Sequence, residues 1–169
     1  NIVSWELARL RQIMPGLVSR AMAYSAMPQF DQSLVDAVKF YYGLEMDVSA
    51  AESEILADDD ERVRFFPWLL WDWRTDDGAN TIGECFLKED LHSEFERRLL
   101  AGLCGSHIGF YEALTDATLQ GVKLQHLLTG RVVELKDEGL DGELLEGQIL
   151  QCRLVEVACT NGNVEVLID

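Results

Sequence analysis

The chain has 169 residues, of which 48% are apolar, and a formal net charge of −16. Enough apolar residues are present to build a packed core, so the composition excludes disorder as the default. The excess of negative charge disfavours direct binding to nucleic-acid phosphates, which requires Lys and Arg. No apolar run approaches the roughly 18 residues of a membrane span, and no signal-peptide pattern is visible. We therefore expect a soluble, cytoplasmic protein that binds no membrane.

The four cysteines indicate a reducing compartment. They have irregular spacing and form no C-x-x-C pair. In a chain of this size without a secretory signal, such cysteines are typical of free thiols. We expect no disulfide framework and no cofactor. The residues are Cys85, Cys104, Cys152 and Cys159.

The first part of the chain has helical periodicity. Apolar residues at spacings of three and four predict a helix over residues 3–14, closed by Pro15 and Gly16. A second short helix over residues 17–27 is stopped by Pro28, and a third begins near Asp31. Because the sequence opens inside a helix and without Met, we expect a piece of a longer protein.

Local capping signals predict three further helix starts. The acidic residues 58–61 suit the positive end of a helix dipole, although a solvated charged turn is the alternative. Two later segments match the capping-box pattern, in which a hydroxyl residue precedes a glutamate by three positions. Gly105 is placed to end the last helix in the left-handed conformation. The two capping boxes are Thr81 with Glu84 and Ser93 with Glu96.

Beyond Gly105 the apolar period changes from helical to alternating. Ile108 and Phe110 alternate with other residues, as do Val122 and Leu124, and three β-branched segments follow. Asn161 and Gly162 form a hairpin signal between the last two segments. The sequence therefore predicts an α+β protein. A helical part, residues 1–105, packs on a small, strongly bent antiparallel sheet or barrel, residues 106–169, in one integrated domain or two.

Residues 65–73 are the most unusual segment, since they contain three of the four tryptophans. Pro67 suits the first turn of a helix, where its missing N–H costs nothing. Such a helix is apolar nearly all round, so we expect it to be buried. Asp72 then places one carboxylate in an apolar wall. It is either a structural residue paired with a partner such as Arg74, or a functional acid.

The turn that follows contains two acids, Asp76 and Asp77. Together with Asp72 they invite a metal interpretation, but their spacing does not match a calcium loop. Turn chemistry explains an Asp-Gly pair without a metal. The acids around Gly139 and Gly142 have the same status, and we predict no metal site from either group. Those acids are Asp137, Glu138 and Asp141.

Histidine and cysteine positions carry no complete site. Cys104 and His107 form half of a zinc pattern without a second pair, and a cysteine nucleophile at Cys104 is the weaker alternative to a packed thiol. His92 and Glu96 lie four residues apart with no third ligand in view. No Walker loop, nucleophile elbow, dinucleotide fingerprint or zincin motif is present in the sequence. This pattern favours a protein that is not an enzyme.

Several of these features resemble one bacterial domain of unassigned activity, found in proteins that end in a SEC-C zinc motif. The resemblance covers about residues 60–169. It implies an aromatic and tryptophan-rich stretch, a turn, a capped helix and a β-rich tail. The cysteine-rich zinc tail is absent here, so zinc-dependent docking does not transfer. The matching positions are residues 66–73, Asp77 and Gly78, Thr81 and Ile82, Phe86 and Leu87, and residues 147–155.

Three functional hypotheses follow. The first is a non-catalytic acidic module that binds a protein partner through an acidic face or a sheet edge, with self-association as a variant. The second is a hydrolase or metal-dependent enzyme that uses Asp72 with Asp76 or Asp77. The third is an acidic mimic of nucleic acid, which requires carboxylates spaced like phosphates on one face.

Overall fold

A computed structural model describes residues 2–43, 57–75, 78–136, 142–159 and 162–168, with the side chains of residues 2–4 and 168 left undescribed. The chain divides into two compact units. Leu10–Cys104 form the helical unit, and Asn1–Arg9 with Gly105–Asp169 form the strand unit. The predicted α+β class is confirmed. Within the described ranges, no helix combines the length and apolar character that a membrane crossing requires.

The first helix, α1, is a single helix over Ile2–Ser25 with Pro15 inside it. The predicted break at Pro15 and Gly16 is therefore wrong. An internal proline removes one backbone hydrogen bond and costs about 3 kcal/mol. The helix continues because burial of one face offsets that cost. Leu10, Leu17 and Ala21 lie on this face at helical spacing and are almost completely buried.

Four more α-helices are described. As predicted, Pro28 ends the first helical segment, and a short 3-10 turn over Pro28–Phe30 leads into the next helix. The helix after it ends at Gly43, whose φ of 95° suits glycine. These helices are α2 over Asp31–Tyr42, α3 over Asp59–Trp71, α4 over Ile82–Leu87 and α5 over Glu94–Cys104.

Capping decides where these helices begin. The Asp58 carboxylate accepts the backbone N–H groups of Asp60 and Glu61, which confirms an acidic helix start. Both capping boxes are also confirmed. Thr81 and Glu84 bond reciprocally at 3.1 and 2.7 Å, and the Ser93 box is closed at 3.3 and 2.8 Å.

Two local predictions in this unit are wrong. Pro67 lies in the second half of α3 rather than in its first turn, because the Asp58 cap starts the helix at Asp59, eight residues before Pro67. Gly105 follows α5, but its φ is not positive, so no left-handed residue ends this helix. Burial of Phe95, Leu99 and Leu103 along one face holds α5 in place without that motif.

The strand unit contains one antiparallel sheet of five strands in the order β3-β2-β1-β4-β5. The hairpin of β4 and β5 is confirmed, and Cys159 pairs with Gly162 at its end. Asn161 itself lies outside the described residues. The strands are β1 over Ile108–Ala113, β2 over Val122–His126, β3 over Val132–Leu135, β4 over Ile149–Cys159 and β5 over Gly162–Ile168.

The sheet curls strongly, as predicted, so that its edge strands β3 and β5 come close together in a half-barrel. Its inner face forms the core of the unit. Gly121, just before β2, has a φ of 122°, and a Cβ there would lie 2.6 Å from the carbonyl oxygen of Leu135. Only glycine allows this approach. The core residues include Tyr111, Ala113, Val122, Leu124, Val133, Leu135, Cys152 and Leu154.

The large apolar residues of β1 lie on its exposed face, the reverse of what their alternation suggests. Gly109, Tyr111 and Ala113 point to the buried face, whereas Ile108 and Phe110 are exposed. At Gly109 only a small residue fits, because His126 fills the space beside it and a Cβ would lie 2.9 Å from the His126 Nε2 atom. An apolar period of two therefore predicts the strand but not its buried face.

Candidate functional site

Three aromatic rings form a surface in the helical unit, which we call the ring trio: Phe40, Trp68 and Trp73. Phe40 stacks on Trp68 with centroids 6.1 Å apart and planes 6° from parallel. Trp73 completes the set, 5.4 Å from Phe40 and 5.3 Å from Trp68. Phe40 is 69% exposed, and both tryptophans are half-buried. The composition of residues 65–73 predicts a fully buried segment. That prediction is wrong for Trp68 and Trp73, which are half-buried.

The end of α3 positions this surface. The backbone N–H groups of Asp72 and Trp73 both donate to the carbonyl oxygen of Trp68, at 2.9 and 3.0 Å. This tight end of the helix brings Trp73 back beside Trp68. The Trp73 indole N–H donates to the Ser33 hydroxyl at 3.2 Å, which ties it to α2, the helix that carries Phe40. Behind the trio, Phe65 is buried, and its ring centroid lies 5.9 Å from that of Trp68.

Asp72, the leading acid candidate from the sequence, lies at the C-cap of α3. Its side chain is half-buried rather than enclosed in an apolar wall. Its position at the negative end of the helix dipole is electrostatically unfavourable for a carboxylate. Arg74, the partner suggested by the sequence, donates to the carbonyl oxygen of Ala79 at 2.8 Å.

The other acidic candidates lie outside the described residues. Asp76 and Asp77 belong to this group, so their predicted association with Asp72 stays a prediction. The same holds for Asp137, Glu138 and Asp141. Among the residues that are described, no three His, Cys, Asp or Glu side chains lie close enough together to hold a metal ion.

The histidine and cysteine candidates have structural environments. His92 is buried, and its Nε2 atom lies 2.7 Å from the carbonyl oxygen of Phe86, to which the ring N–H donates. Burial, with a smaller contribution from Glu84, raises the pKa of the Cys104 thiol to about 12. A thiol with that pKa stays protonated near neutral pH, which argues against a nucleophile at this position.

An arginine and two glutamates form a cluster in the strand unit that the sequence did not suggest. Arg131 Nη2 donates to Glu165 Oε1 at 2.6 Å and to Glu156 Oε2 at 3.1 Å. The glutamates are directly opposite each other on β4 and β5, a like-charge pair that costs stability unless a cation bridges it. Asn163 also donates to Glu156.

Burial raises the pKa of Glu165 above its usual value, Arg131 acts to lower it, and Glu156 raises it further. Tyr111 faces the same cluster, and burial raises its pKa as well. The sequence could reveal this cluster only through the hairpin register. Asn161 and Gly162, taken as the turn, place Glu156 opposite the wrong residue. The observed pairing of Cys159 with Gly162 shifts that register.

The outward face of the sheet carries a second exposed apolar surface, which we call the outer-face patch. Phe110 lies at its centre. The backbone N–H of Leu127 donates to the carbonyl oxygen of Phe110, so these residues are cross-strand neighbours. Further along β4 the same face is buried at Val155, so the patch is local. Its members, between 40% and 62% exposed, are Ile108, Phe110, Leu127, Val132 and Ile149.

Glu112 lies within the outer-face patch. It is two residues from Phe110 on the same face of β1, and it pairs with Gln125 on one side and Ile149 on the other. Lys123 and Glu134 pair with each other across β2 and β3. Glu112 therefore has no cation directly opposite it on either neighbouring strand.

No protein-family model matches the sequence, and no curated protein or solved structure matches it. The resemblance to the domain of SEC-C-containing proteins stays a prediction.

Proposed function

We propose that the protein is a non-catalytic, acidic interaction module that binds a partner protein through the outer-face patch. The observation that carries this proposal is the cluster of five apolar side chains, 40% to 62% exposed, on one face of the sheet. Single exposed apolar residues are ordinary, whereas contiguous ones are typical of interaction surfaces. An aromatic residue at the centre of such a patch is typical of binding hot spots.

The charges select the chemistry of the partner. Residues 106–169 contain 4 basic and 11 acidic residues, a net charge of −7. A partner that covers the patch also covers Glu112, and an unpaired carboxylate is costly to bury. The partner segment should therefore be amphipathic, with apolar side chains for Phe110 and Ile149 and a Lys or Arg for Glu112.

The sheet edges are the alternative surface for binding a partner. The edge strands β3 and β5 lie close together, and Arg131 links the start of β3 to both strands of the β4–β5 hairpin. A curled sheet of this kind offers less free edge for an added strand. The outward face is the better candidate for docking.

Site-specific photo-crosslinking tests the proposal. A photoreactive phenylalanine analogue replaces Phe110 in one variant and Leu119, which is 71% exposed and outside the patch, in the control. We expect a discrete cross-linked protein in the native lysate from position 110 alone. Substitution of Glu112 by Gln should weaken its capture at low salt more than at high salt.

The outcomes separate the alternatives. Identical cross-linking from positions 110 and 119, or none from position 110, would overturn the proposal. Cross-linking of the chain to itself, with a doubled mass in solution, would replace the heteromeric partner with self-association. The net charge of −16 opposes that result because two copies repel each other.

A further inference from the structure

The ring trio in the helical unit is a second surface, separate in sequence from the outer-face patch. Its three rings lie within 5.3 to 6.1 Å of one another. Phe40, the most exposed of them, stacks almost parallel to Trp68 instead of turning into the core. The trio therefore exposes aromatic surface, most of it on Phe40, with parts of the half-buried Trp68 and Trp73.

Two carboxylates accompany the rings. Asp36 precedes Phe40 by four residues on α2, and Asp72 follows Trp68 by four residues at the end of α3. Positions four apart lie on the same face of a helix. Phe40 thus has an acidic neighbour one turn away, and Trp68 has Asp72 on one side and Arg64, which pairs with Glu61 at 3.7 Å, on the other. Asp36 accepts a hydrogen bond from Gln32 at 3.1 Å, which leaves its charge in place.

Aromatic faces and carboxylates attract the same class of group. The face of an aromatic ring carries negative electrostatic potential and binds guanidinium and ammonium groups, with Trp the strongest of the three ring types. A nearby carboxylate adds Coulombic attraction. The chain already uses this interaction elsewhere, where Arg9 lies 5.4 Å from the Trp5 ring and Arg98 lies 5.1 Å from the Phe95 ring.

We propose that the ring trio is a recognition site for a basic segment of a partner protein, bound through Arg or Lys side chains that lie on Phe40 and Trp68. Charge complementarity identifies this occupant, since the chain carries −16 overall and Asp36 and Asp72 lie four residues along the chain from Phe40 and Trp68. Stacking of nucleic-acid bases is the other common use of exposed aromatic rings. The acids beside this trio repel the phosphates that accompany every base.

A purely structural role for the rings gives a different expectation. In that case Phe40 serves only to cover Trp68 and Trp73, and its removal changes stability but not the binding of any ligand. Removal of a cation-binding ring instead changes affinity for cations. Loss of one exposed cation–π contact of about 0.5 to 1 kcal/mol corresponds to a two- to fivefold weaker affinity.

Tryptophan indole N–H signals in two-dimensional NMR provide the measurement. The four tryptophans give four signals, which Trp→Phe variants assign. Capped arginine and lysine peptides of equal length are titrated into the full chain, with a glutamate peptide as the control. We expect the signals of Trp68 and Trp73 to shift with the basic peptides, while that of Trp71, only 2% exposed, stays in place.

Variants then separate recognition from structure. Phe40→Ala should weaken binding of the arginine peptide two- to fivefold, whereas Phe40→Tyr keeps a ring and should retain most of the affinity. Leu91→Ala is the matched control, because Leu91 is also strongly exposed in the helical unit, at 78%. Circular dichroism checks that each variant is folded, which we expect because both side chains are largely exposed.

Three results would overturn the inference. These are the absence of a shift at Trp68 and Trp73, equal shifts with the glutamate peptide, and equal effects of Phe40→Ala and Leu91→Ala. The inference goes beyond the proposed function and can fail separately from it. Phe110→Ser, which disrupts the outer-face patch, should leave the arginine-peptide titration unchanged.

Discussion

The helix caps of the helical unit and the Arg131 cluster of the strand unit depend on interactions of different range. In the helical unit, caps such as those of Asp58, Thr81 and Ser93 bond to residues two or three positions away. In the strand unit, Arg131 contacts Glu156 and Glu165, 25 and 34 residues further along the chain. A helix cap joins residues close together in the chain and does not depend on how distant segments pair. The Arg131 contacts form only when β4 and β5 pair in the correct register. The two units should therefore respond differently to substitution.

The largest effect should come from Gly83→Ala in the helical unit. A Cβ at this position would lie 2.2 and 2.3 Å from two ring carbons of Trp71 and 2.9 Å from the backbone oxygen of Leu70. The buried indole cannot move aside easily, so we expect a loss of about 3 kcal/mol in the free energy of unfolding. Urea denaturation followed by tryptophan fluorescence measures it.

Two other glycines are controls for this prediction. Gly16 lies inside α1 with open space around its position, so Gly16→Ala should stabilise by about 0.5 to 1 kcal/mol. Gly109 in β1 faces the ends of the His126 and Tyr111 side chains at 2.9 Å, which can yield, so its cost should be smaller than that of Gly83. Equal losses at Gly83 and Gly16 would show that steric contact with Trp71 is not the cause.

The same contrast of range explains what the sequence could predict. Helix starts at Asp58, Thr81 and Ser93 are correct because each signal is complete within four residues. The internal prolines, Pro15 and Pro67, are misread because local propensity does not include the burial that outweighs it. Tertiary packing can override a local cost of a few kcal/mol, and no local pattern reports that packing.

The candidate surfaces were only partly visible in the sequence. The tryptophan-rich segment was recognised, but Phe40, the most exposed ring of the trio, comes from α2 and shares no motif with it. Likewise, Ile108 and Phe110 were recognised as a strand, yet the alternation cannot say which face is covered. The cluster of Arg131 with Glu156 and Glu165 depends on the hairpin register: a turn at Asn161 and Gly162 would pair Glu156 with Leu167, two residues from its observed partner.

An intermediate effect is expected from Arg131→Gln in the strand unit. The variant leaves Glu156 opposite Glu165 without the bridging cation, and we expect a loss of about 1 kcal/mol at neutral pH. The expected loss is small because the Arg131 side chain is more than half exposed and solvent screens its charge. Thermal or urea unfolding at several pH values measures it.

The pH dependence of this loss has a definite sign. Because the folded-state pKa of Glu165 is raised, ionisation of this group disfavours the folded state, and its contribution to stability is lost as pH rises through that pKa. The Arg131 side chain acts to lower the pKa of Glu165, so its removal should raise that pKa further. The destabilisation of Arg131→Gln should therefore be largest near pH 7 and shrink as pH falls towards about 4.

The exposed pair of Arg62 with Asp59 in the helical unit is the control for the Arg131 cluster. Its atoms are 2.9 Å apart, but it is a local pair at i,i+3 and one partner is almost fully exposed. We expect Arg62→Gln to have little effect and no matching pH dependence. A larger loss for Arg62→Gln than for Arg131→Gln would contradict the distinction between local and distant interactions.

The smallest effects should come from substitutions at the two ends of α3, where the charges of Asp59 and Asp72 have opposite effects on stability. Asp59 lies in the first turn, where a negative charge is favourable, and Asp72 lies at the C-cap, where it is unfavourable. The helix-dipole contribution to the free energy of unfolding should fall by about 0.3 kcal/mol in Asp59→Asn and rise by a similar amount in Asp72→Asn. Precise chemical denaturation in low salt measures both, and added salt should reduce both.

Asp72→Asn also tests the surface that this residue flanks. If Asp72 helps the ring trio to bind basic segments, the variant should bind the arginine peptide more weakly while being slightly more stable. If Asp72→Asn unfolds the protein, the carboxylate is structural. If stability rises and peptide binding is unchanged, Asp72 belongs to neither role, and the cation site has to rest on Phe40, Trp68 and Asp36 alone.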